Sequence, residues 1–80
     1  MTIINERAKT HGDYSIQSVL SQDLKRRIRQ EGAKLTPQQT EAIEMICVKL
    51  ARIVCGNPNE PDHFKDIAGY AELALRSLEK

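Results

Sequence analysis

Residues 36–55 read TPQQTEAIEMICVKLARIVC, and this stretch decides the fold. It predicts a helix with a well-marked start, because Thr36 suits the N-cap, Pro37 the first helical position and Gln39 the capping box. A Gly-Asn-Pro sequence at 56–58 then ends the helix at about residue 55. Its apolar residues recur at helical spacing and form one broad face, made of Ile43, Ile46, Cys47, Leu50, Ile53 and Val54. We therefore expect a helix over about 37–55 at the centre of the domain.

A second helix is predicted before this one, over about 15–31. Apolar residues keep helical spacing along it until Gly32, which supplies a stop. Its start is loosely marked, with either Asp13 or Ser15 as N-cap. Residues 11–13 read His-Gly-Asp and predict the turn that leads into it.

The third predicted helix runs over about 62–79, after a loop that ends at Pro61, with Asp62 as its N-cap. Residues 1–12 are polar and carry no sustained periodicity, which predicts an N-terminal arm or a short turn. No alternating strand pattern occurs anywhere. The sequence thus predicts a single all-α domain over residues 1–80, a compact three-helix arrangement.

Composition limits where the protein works and with what. A chain of 80 residues is near the size at which a lone core becomes marginal. Cys47 and Cys55 do not bridge, since eight helical residues separate them by about 12 Å. No signal-like or membrane-spanning apolar run is present. We expect a reduced, cytoplasmic homo-oligomer, a dimer or higher, with no membrane partner.

Net charge is +1, which favours no class of partner. The basic cluster at 25–29 has no interleaved aromatic residues, and the loop between the second and third helices in the order of the chain is too long for a tight helix-turn-helix. Nucleic acid is therefore the disfavoured partner.

The last helix carries two different faces. At about 100° per residue, one side consists of His63, Asp66, Tyr70 and Leu73. The other side is an apolar seam of Phe64, Ile67, Ala71, Leu75 and Leu78. Inside a helix, glycine is less favourable than alanine by about 1 kcal/mol. Gly69 therefore indicates a structural constraint at this position, such as close helix packing. The first side is a stripe able to face a ligand or a second subunit.

Glu41 and Glu44 are three apart and share the side of the central helix opposite its apolar face. Carboxylates at this spacing can hold Mg²⁺ jointly, or they are solvated acids near a helix N-terminus. Met45 and Val48 lie on the same side, which indicates that this side is covered as well. Cys47 is interpreted as a small hydrophobe.

Three blocks in order resemble a family of small phage and prophage proteins. They are RAKTHGDY at 7–14, KLARI at 49–53 and DHFKDIAGYA at 62–71. Members of that family typically read R-x-K-x-[YH]-G-D, then K-[LI]-A-R, then D-x-[WF]-x-D-[IL]-A-G-Y-A, and the resemblance covers roughly residues 6 to 78. A phage-encoded protein would work in a bacterial host cell. The helical plan is more loosely similar to the MazG-like all-α nucleoside triphosphate pyrophosphohydrolases.

The MazG resemblance implies a metal site. Those enzymes hold Mg²⁺ with an E-x-x-E on one helix and an E-x-x-D on the next, which implies Glu41, Glu44 and Asp66 here. The match departs at His63, which stands where the second motif has a carboxylate. Lys49 and Arg52 then either neutralise phosphate charge or pair with Asp66 and Glu44.

Two functional classes stay open. The first is nucleotide binding or Mg²⁺-dependent pyrophosphohydrolysis. The second is a non-enzymatic accessory protein that oligomerises and binds a host or phage protein, or a small nucleotide, through the stripe on the last helix. The predicted substrate-binding residues are Lys49, Arg52, His63, Tyr70, His11 and Asp13, of which His11 and Asp13 are alternatively turn formers.

Overall fold

The computed structural model describes residues 2–79, with the side chains of residues 6–79, and every regular element among them is a helix. The helices are α1 (Thr2–His11), α2 (Tyr14–Glu31), α3 (Pro37–Cys55) and α4 (Pro61–Leu78). The all-α class is confirmed, with four helices where three were predicted.

The predicted signals at the start of α2 and α3 are present. The Thr36 side chain accepts from the backbone N–H of Gln39, and the Gln39 side chain accepts from the backbone N–H of Thr36, so the capping box is complete. The carboxylate of Asp13, and not Ser15, caps α2 by accepting from the N–H of Ile16. Each of the three predicted helices begins and ends within one residue of its predicted limits.

The start of α4 corrects one assignment. Glu60 and not Asp62 is the N-cap, and its carboxylate accepts from the backbone N–H of Asp62. Pro61 occupies the first helical turn, where its missing N–H leaves no bond unmade.

Residues 2–11 are helical, which corrects the expected arm or turn. The carbonyl of Thr10, near the end of α1, accepts from the backbone N–H of Asn57 at 3.0 Å in the loop between α3 and α4. Gly12 then turns the chain with a φ of +82°. Helix α1 contacts the other helices near one end, so it needs no continuous apolar face, and periodicity could not find it. Met1 of the predicted arm lies outside the described residues.

Helix α3 is central, as predicted, and α2 and α4 flank it as antiparallel neighbours. Arg29 near the end of α2 pairs with Glu44 near the start of α3, at 3.3 Å. Lys49 of α3 pairs with Asp66 of α4, at 3.0 Å. Within the described residues, α2 and α4 do not contact each other. The domain is elongated, 45 × 25 × 19 Å, with a radius of gyration of 13.7 Å against about 11.6 Å for a globular domain of this length.

The two predicted faces of α4 are each buried in part and exposed in part. His63 is 2% exposed and Tyr70 is half-buried, so much of the polar stripe faces α3. Most of the apolar seam faces solvent, with Phe64 54%, Leu75 52% and Leu78 62% exposed, whereas Ile67 is half-buried. The least exposed positions of α4 are His63, Ile67, Tyr70 and Ala74, so the helix packs on α3 through a mixed polar and apolar side and leaves most of its seam uncovered.

The core within one chain is small. The buried apolar residues among the described side chains are Ala42, Cys47 and Ala51. Leu50 and Val54, expected in the core, are 41% and 73% exposed. The expected cover over Met45 and Val48 is confirmed, since both are half-buried. Cys47 and Cys55 are free thiols. No helix among the described residues is long and apolar enough to cross a membrane.

Candidate functional site

One end of the molecule brings together the turn between α1 and α2 and the end of α3. Two glycines allow this approach. A Cβ on Gly12 would overlap the carbonyl oxygen of Cys55, and a Cβ on Gly56 would overlap the carbonyl oxygen of Thr10. The backbones are therefore in direct contact here, and α1 is held against the C-terminal end of α3.

A cavity of about 490 Å³ lies beside this contact. Its lining comes from α1, the turn, the first turn of α2 and the last turn of α3, and consists of Arg7, Ala8, His11, Gly12, Asp13, Tyr14, Gln17 and Arg52. We call it the Arg52 cavity. Three of its residues are cationic or become so on protonation, and Asp13 is the single acid, whose carboxylate already caps α2. The cavity is therefore electropositive, and the positive end of the α2 dipole adds to this.

The guanidinium of Arg52 is one of the positive groups that line this cavity. Its Nε is buried and has no hydrogen-bond partner among the described residues. Arg52 also lines a smaller cavity of about 190 Å³ on the α2 side, next to Gln17 and Ser21. Gln17 and Ser21 are 5% and 4% exposed, and the Ser21 hydroxyl likewise lacks a partner in the described part of the chain. Buried donors of this kind need an acceptor, and an anion supplies one.

His11 and His63 lie against each other, with ring centroids 5.3 Å apart. His63 Nε2 is 2.7 Å from the carbonyl oxygen of Thr10, so Nε2 carries the proton and donates it. Burial lowers the pKa of His11, and the positive charge of Arg52 and other nearby basic groups lowers it further. The lowered pKa of His11 is consistent with an electropositive environment at the rim of the Arg52 cavity.

Asp66 and Lys49 form the second polar feature of this end. The Lys49 side chain is 11% exposed and its Nζ lies 3.0 Å from an Asp66 carboxylate oxygen. Asp66 also lines a hollow of about 340 Å³ together with His11, His63 and Asp62. The sequence left open whether Asp66 faces a ligand or a basic residue of its own chain. In the structure Asp66 pairs with Lys49.

The three predicted metal ligands do not converge on one site. Glu44 bonds to Arg29 of α2, Asp66 bonds to Lys49, and Glu41 is exposed. Among the residues that the structure describes, no three His, Cys, Asp or Glu side chains form a group that could hold a metal ion. One chain does not assemble this triad as arranged here, and Mg²⁺ binding stays a prediction.

Tyr70 is separated from the other predicted binding residues. It lines a hollow of about 440 Å³ with Glu41, Ala42 and Leu73 towards the start of α3. Glu41 and Arg52 are eleven residues apart, about 17 Å along the helix. A Cβ on Gly69 would meet no atom within 4 Å, so the expected close packing at Gly69 does not occur within the chain.

Sequence reasoning placed His11, Asp13 and Arg52 among the binding residues but missed Arg7, Tyr14 and Gln17 of the same cavity. Arg7 and Tyr14 stand in the first block of the family resemblance, which was the available signal. The contribution of Arg7 was missed because residues 1–12 were not predicted to be helical and to pack beside Arg52.

Comparison with known proteins places the chain in a family. Residues 1–77 match the family described as Domain of unknown function (DUF6378). The chain belongs to this family. No curated protein and no solved structure matches it. The residues that match the DUF6378 family include the whole Arg52 cavity and every described helical residue except Leu78, the last of α4.

Proposed function

We propose that this protein binds a phosphorylated small molecule, specifically a nucleotide, in the Arg52 cavity. The observation that carries the proposal is the buried Nε of Arg52, which has no partner in the described part of the chain and borders a cavity with Arg7 and His11. Phosphate oxygens are acceptors that match a guanidinium fork, and they bring the charge that an electropositive cavity favours.

The shape of the site supports a ligand larger than a free phosphate. A cavity of about 490 Å³ is within the usual range for small-molecule sites. Tyr14 stands at its edge and is 75% exposed. An aromatic ring so placed can stack on a base while Arg52 holds the phosphates.

The proposal is of binding rather than hydrolysis. Mg²⁺-dependent pyrophosphohydrolysis needs carboxylates that converge on one ion. Here Glu44 and Asp66 are each occupied by a basic residue of the same chain. The resemblances to phage and prophage proteins and to the MazG-like enzymes stay predictions, and the MazG-like resemblance agrees with a nucleotide as ligand.

The test is titration calorimetry with a panel of nucleoside triphosphates and inorganic triphosphate, with and without Mg²⁺. We expect a member of the panel to bind the wild-type protein and to bind Arg52→Gln at least tenfold more weakly. Arg27→Gln is the matched control, since Arg27 is an exposed arginine paired with Glu31 on α2. Equal binding by Arg52→Gln, or no binding across the panel, would overturn the proposal. Analysis for released pyrophosphate in the same samples, with Glu44→Gln and Asp66→Asn, tests the enzymatic alternative.

A second candidate function is a non-enzymatic interaction protein. The observation that favours it is the exposure of large apolar side chains on α4, such as Phe64 and Leu75. A stable complex with a host or phage protein, together with nucleotides that neither bind nor change, would favour this second function.

A further inference from the structure

We infer that two copies of this chain associate through one continuous apolar face, built from α3 and α4 with the first half of α2, on the side of α3 opposite the Arg52 cavity. We call it the dimer face. Its exposed large members are Ile16, Leu50, Val54, Phe64, Leu75 and Leu78.

Helix geometry places these residues on one side of the layer. Arg52 and Leu50 are two positions apart on α3 and so point about 160° away from each other. Tyr14 of α2 lines the Arg52 cavity and Asp66 of α4 lines a hollow with His11 on the same side. Ile16 and Phe64 are each two positions from one of these residues, so they point about 160° away from it, to the Leu50 side. The dimer face and the Arg52 cavity are therefore on opposite surfaces.

The face is free of charged side chains along α3 and α4. On α3 its positions are Ile43, Ile46, Leu50, Ile53 and Val54. On α4 they are Phe64, Ala68, Ala71, Leu75 and Leu78. The alanines between the large residues of α4 leave room for a second helix to approach closely. Such a face is typical of a helix–helix core and rare on the surface of a monomer.

The chain exposes more surface than a globular monomer of its mass, by an amount comparable to one side of a dimer interface. The chain exposes 5912 Å², whereas a folded monomer of 9.1 kDa is expected to expose about 4,900 Å². The excess of about 1,000 Å² per chain is slightly above the roughly 800 Å² that each partner contributes to a standard interface.

The occupant is a second copy because the face is needed for folding. The buried apolar residues of the described chain are two alanines and a cysteine, Ala42, Ala51 and Cys47. A core so small leaves the folded chain dependent on whatever covers the dimer face. Another copy is the one partner present wherever the chain is made, and two such faces pack about a two-fold axis with α3 and α4 of each chain forming a four-helix core.

The first test is light scattering and sedimentation over a dilution series. Wild-type protein is expected at twice the mass of the chain, and Leu75→Glu is expected as a monomer or unfolded. Leu73→Glu is the matched control, because Leu73 is 59% exposed against 52% for Leu75 and points to the other side of α4. A monomeric wild type, or loss of the dimer in Leu73→Glu but not in Leu75→Glu, would overturn the inference.

A second measurement does not depend on disrupting the fold. The chain has no tryptophan, so a single substitution gives a clean fluorescent probe. Phe64→Trp is expected to emit at shorter wavelength and to resist quenching by acrylamide, whereas Leu73→Trp is expected to behave as exposed. Equal, solvent-like emission from both probes would contradict the inference. Because nucleotide binding uses the opposite surface, either proposal can fail without the other.

Discussion

The imidazole Nε2 of His63 donates to the carbonyl oxygen of Thr10 over 2.7 Å, and this bond joins the first turn of α4 to the last turn of α1. The same carbonyl accepts from the backbone N–H of Asn57 at 3.0 Å. A carbonyl at a helix end has no partner within its own helix. The Thr10 carbonyl is therefore free to accept from the α3–α4 loop and from α4. The two bonds hold α1 in place and with it one wall of the Arg52 cavity.

Replacement of His63 tests this junction. His63→Ala is expected to lower the free energy of unfolding by about 2 to 3 kcal/mol, since it removes a buried hydrogen bond and leaves a hole. Lys65→Ala, at an exposed neighbouring position, is expected to change it by less than about 0.5 kcal/mol. Urea unfolding measured by circular dichroism gives both values, and similar small effects would show that the junction does not stabilise the fold.

The lowered pKa of His11 predicts a pH dependence of stability. Burial, and then the charge of Arg52, lower this pKa from its ordinary 6.5, so the unfolded chain takes up a proton where the folded chain does not. The stabilisation is therefore complete above pH 6.5 and is lost as the pH falls from 6.5 towards the lowered pKa. Urea unfolding at several pH values below neutrality is expected to show a weaker dependence in His11→Gln than in wild type. The same dependence in both proteins would contradict the assignment.

The Lys49–Asp66 pair is expected to stabilise more than an exposed pair of similar geometry. Asp66→Asn leaves a nearly buried ammonium without its counter-charge and is expected to cost about 1 to 2 kcal/mol, the half-exposed carboxylate limiting the effect. Glu31→Gln breaks the exposed pair with Arg27 and is expected to cost less than about 0.5 kcal/mol. Thermal unfolding of both variants checks this. Equal losses would contradict the expectation that the Lys49–Asp66 pair stabilises the fold more than an exposed pair.

The glycines separate into two classes that substitution can distinguish. Gly12→Ala is expected to cost about 2 kcal/mol or more, because the position has φ +82° and a Cβ there would overlap the backbone of Cys55. Gly69→Ala is expected to stabilise by up to about 1 kcal/mol, since it adds a helix-favouring residue in open space. Melting temperatures of the two variants give the sign. A loss of stability in Gly69→Ala would mean that something packs closely on that glycine.

The main elements could be predicted from the sequence because their signals are local. The Thr36 capping box and the apolar spacing along α3 define a helix without help from the rest of the chain. Helix α1 could not be found in this way, because its place depends on Thr10 bonding to residues more than forty positions away.

The orientation of α4 could not be predicted from periodicity alone. Two faces were predicted, but periodicity does not say that the apolar seam at Phe64 is the one left largely uncovered. The polar partners Lys49 and Asp66, with His63 at the Thr10 carbonyl, bring the other side of α4 to α3. Only part of the candidate site could be predicted, for a similar reason. The spacing of charged residues in the sequence does not reveal which of them pair with each other in the fold.

The most direct test of the central claim is the pKa of His11, measured by NMR with and without inorganic triphosphate at a concentration that saturates calorimetric binding. An anion in the Arg52 cavity offsets the positive charge that lowers this pKa, so it should rise in the wild-type protein. The rise should be absent under the same conditions in Arg52→Gln. An unchanged pKa in the saturated wild type, or an equal rise in both proteins, would contradict phosphate binding beside Arg52.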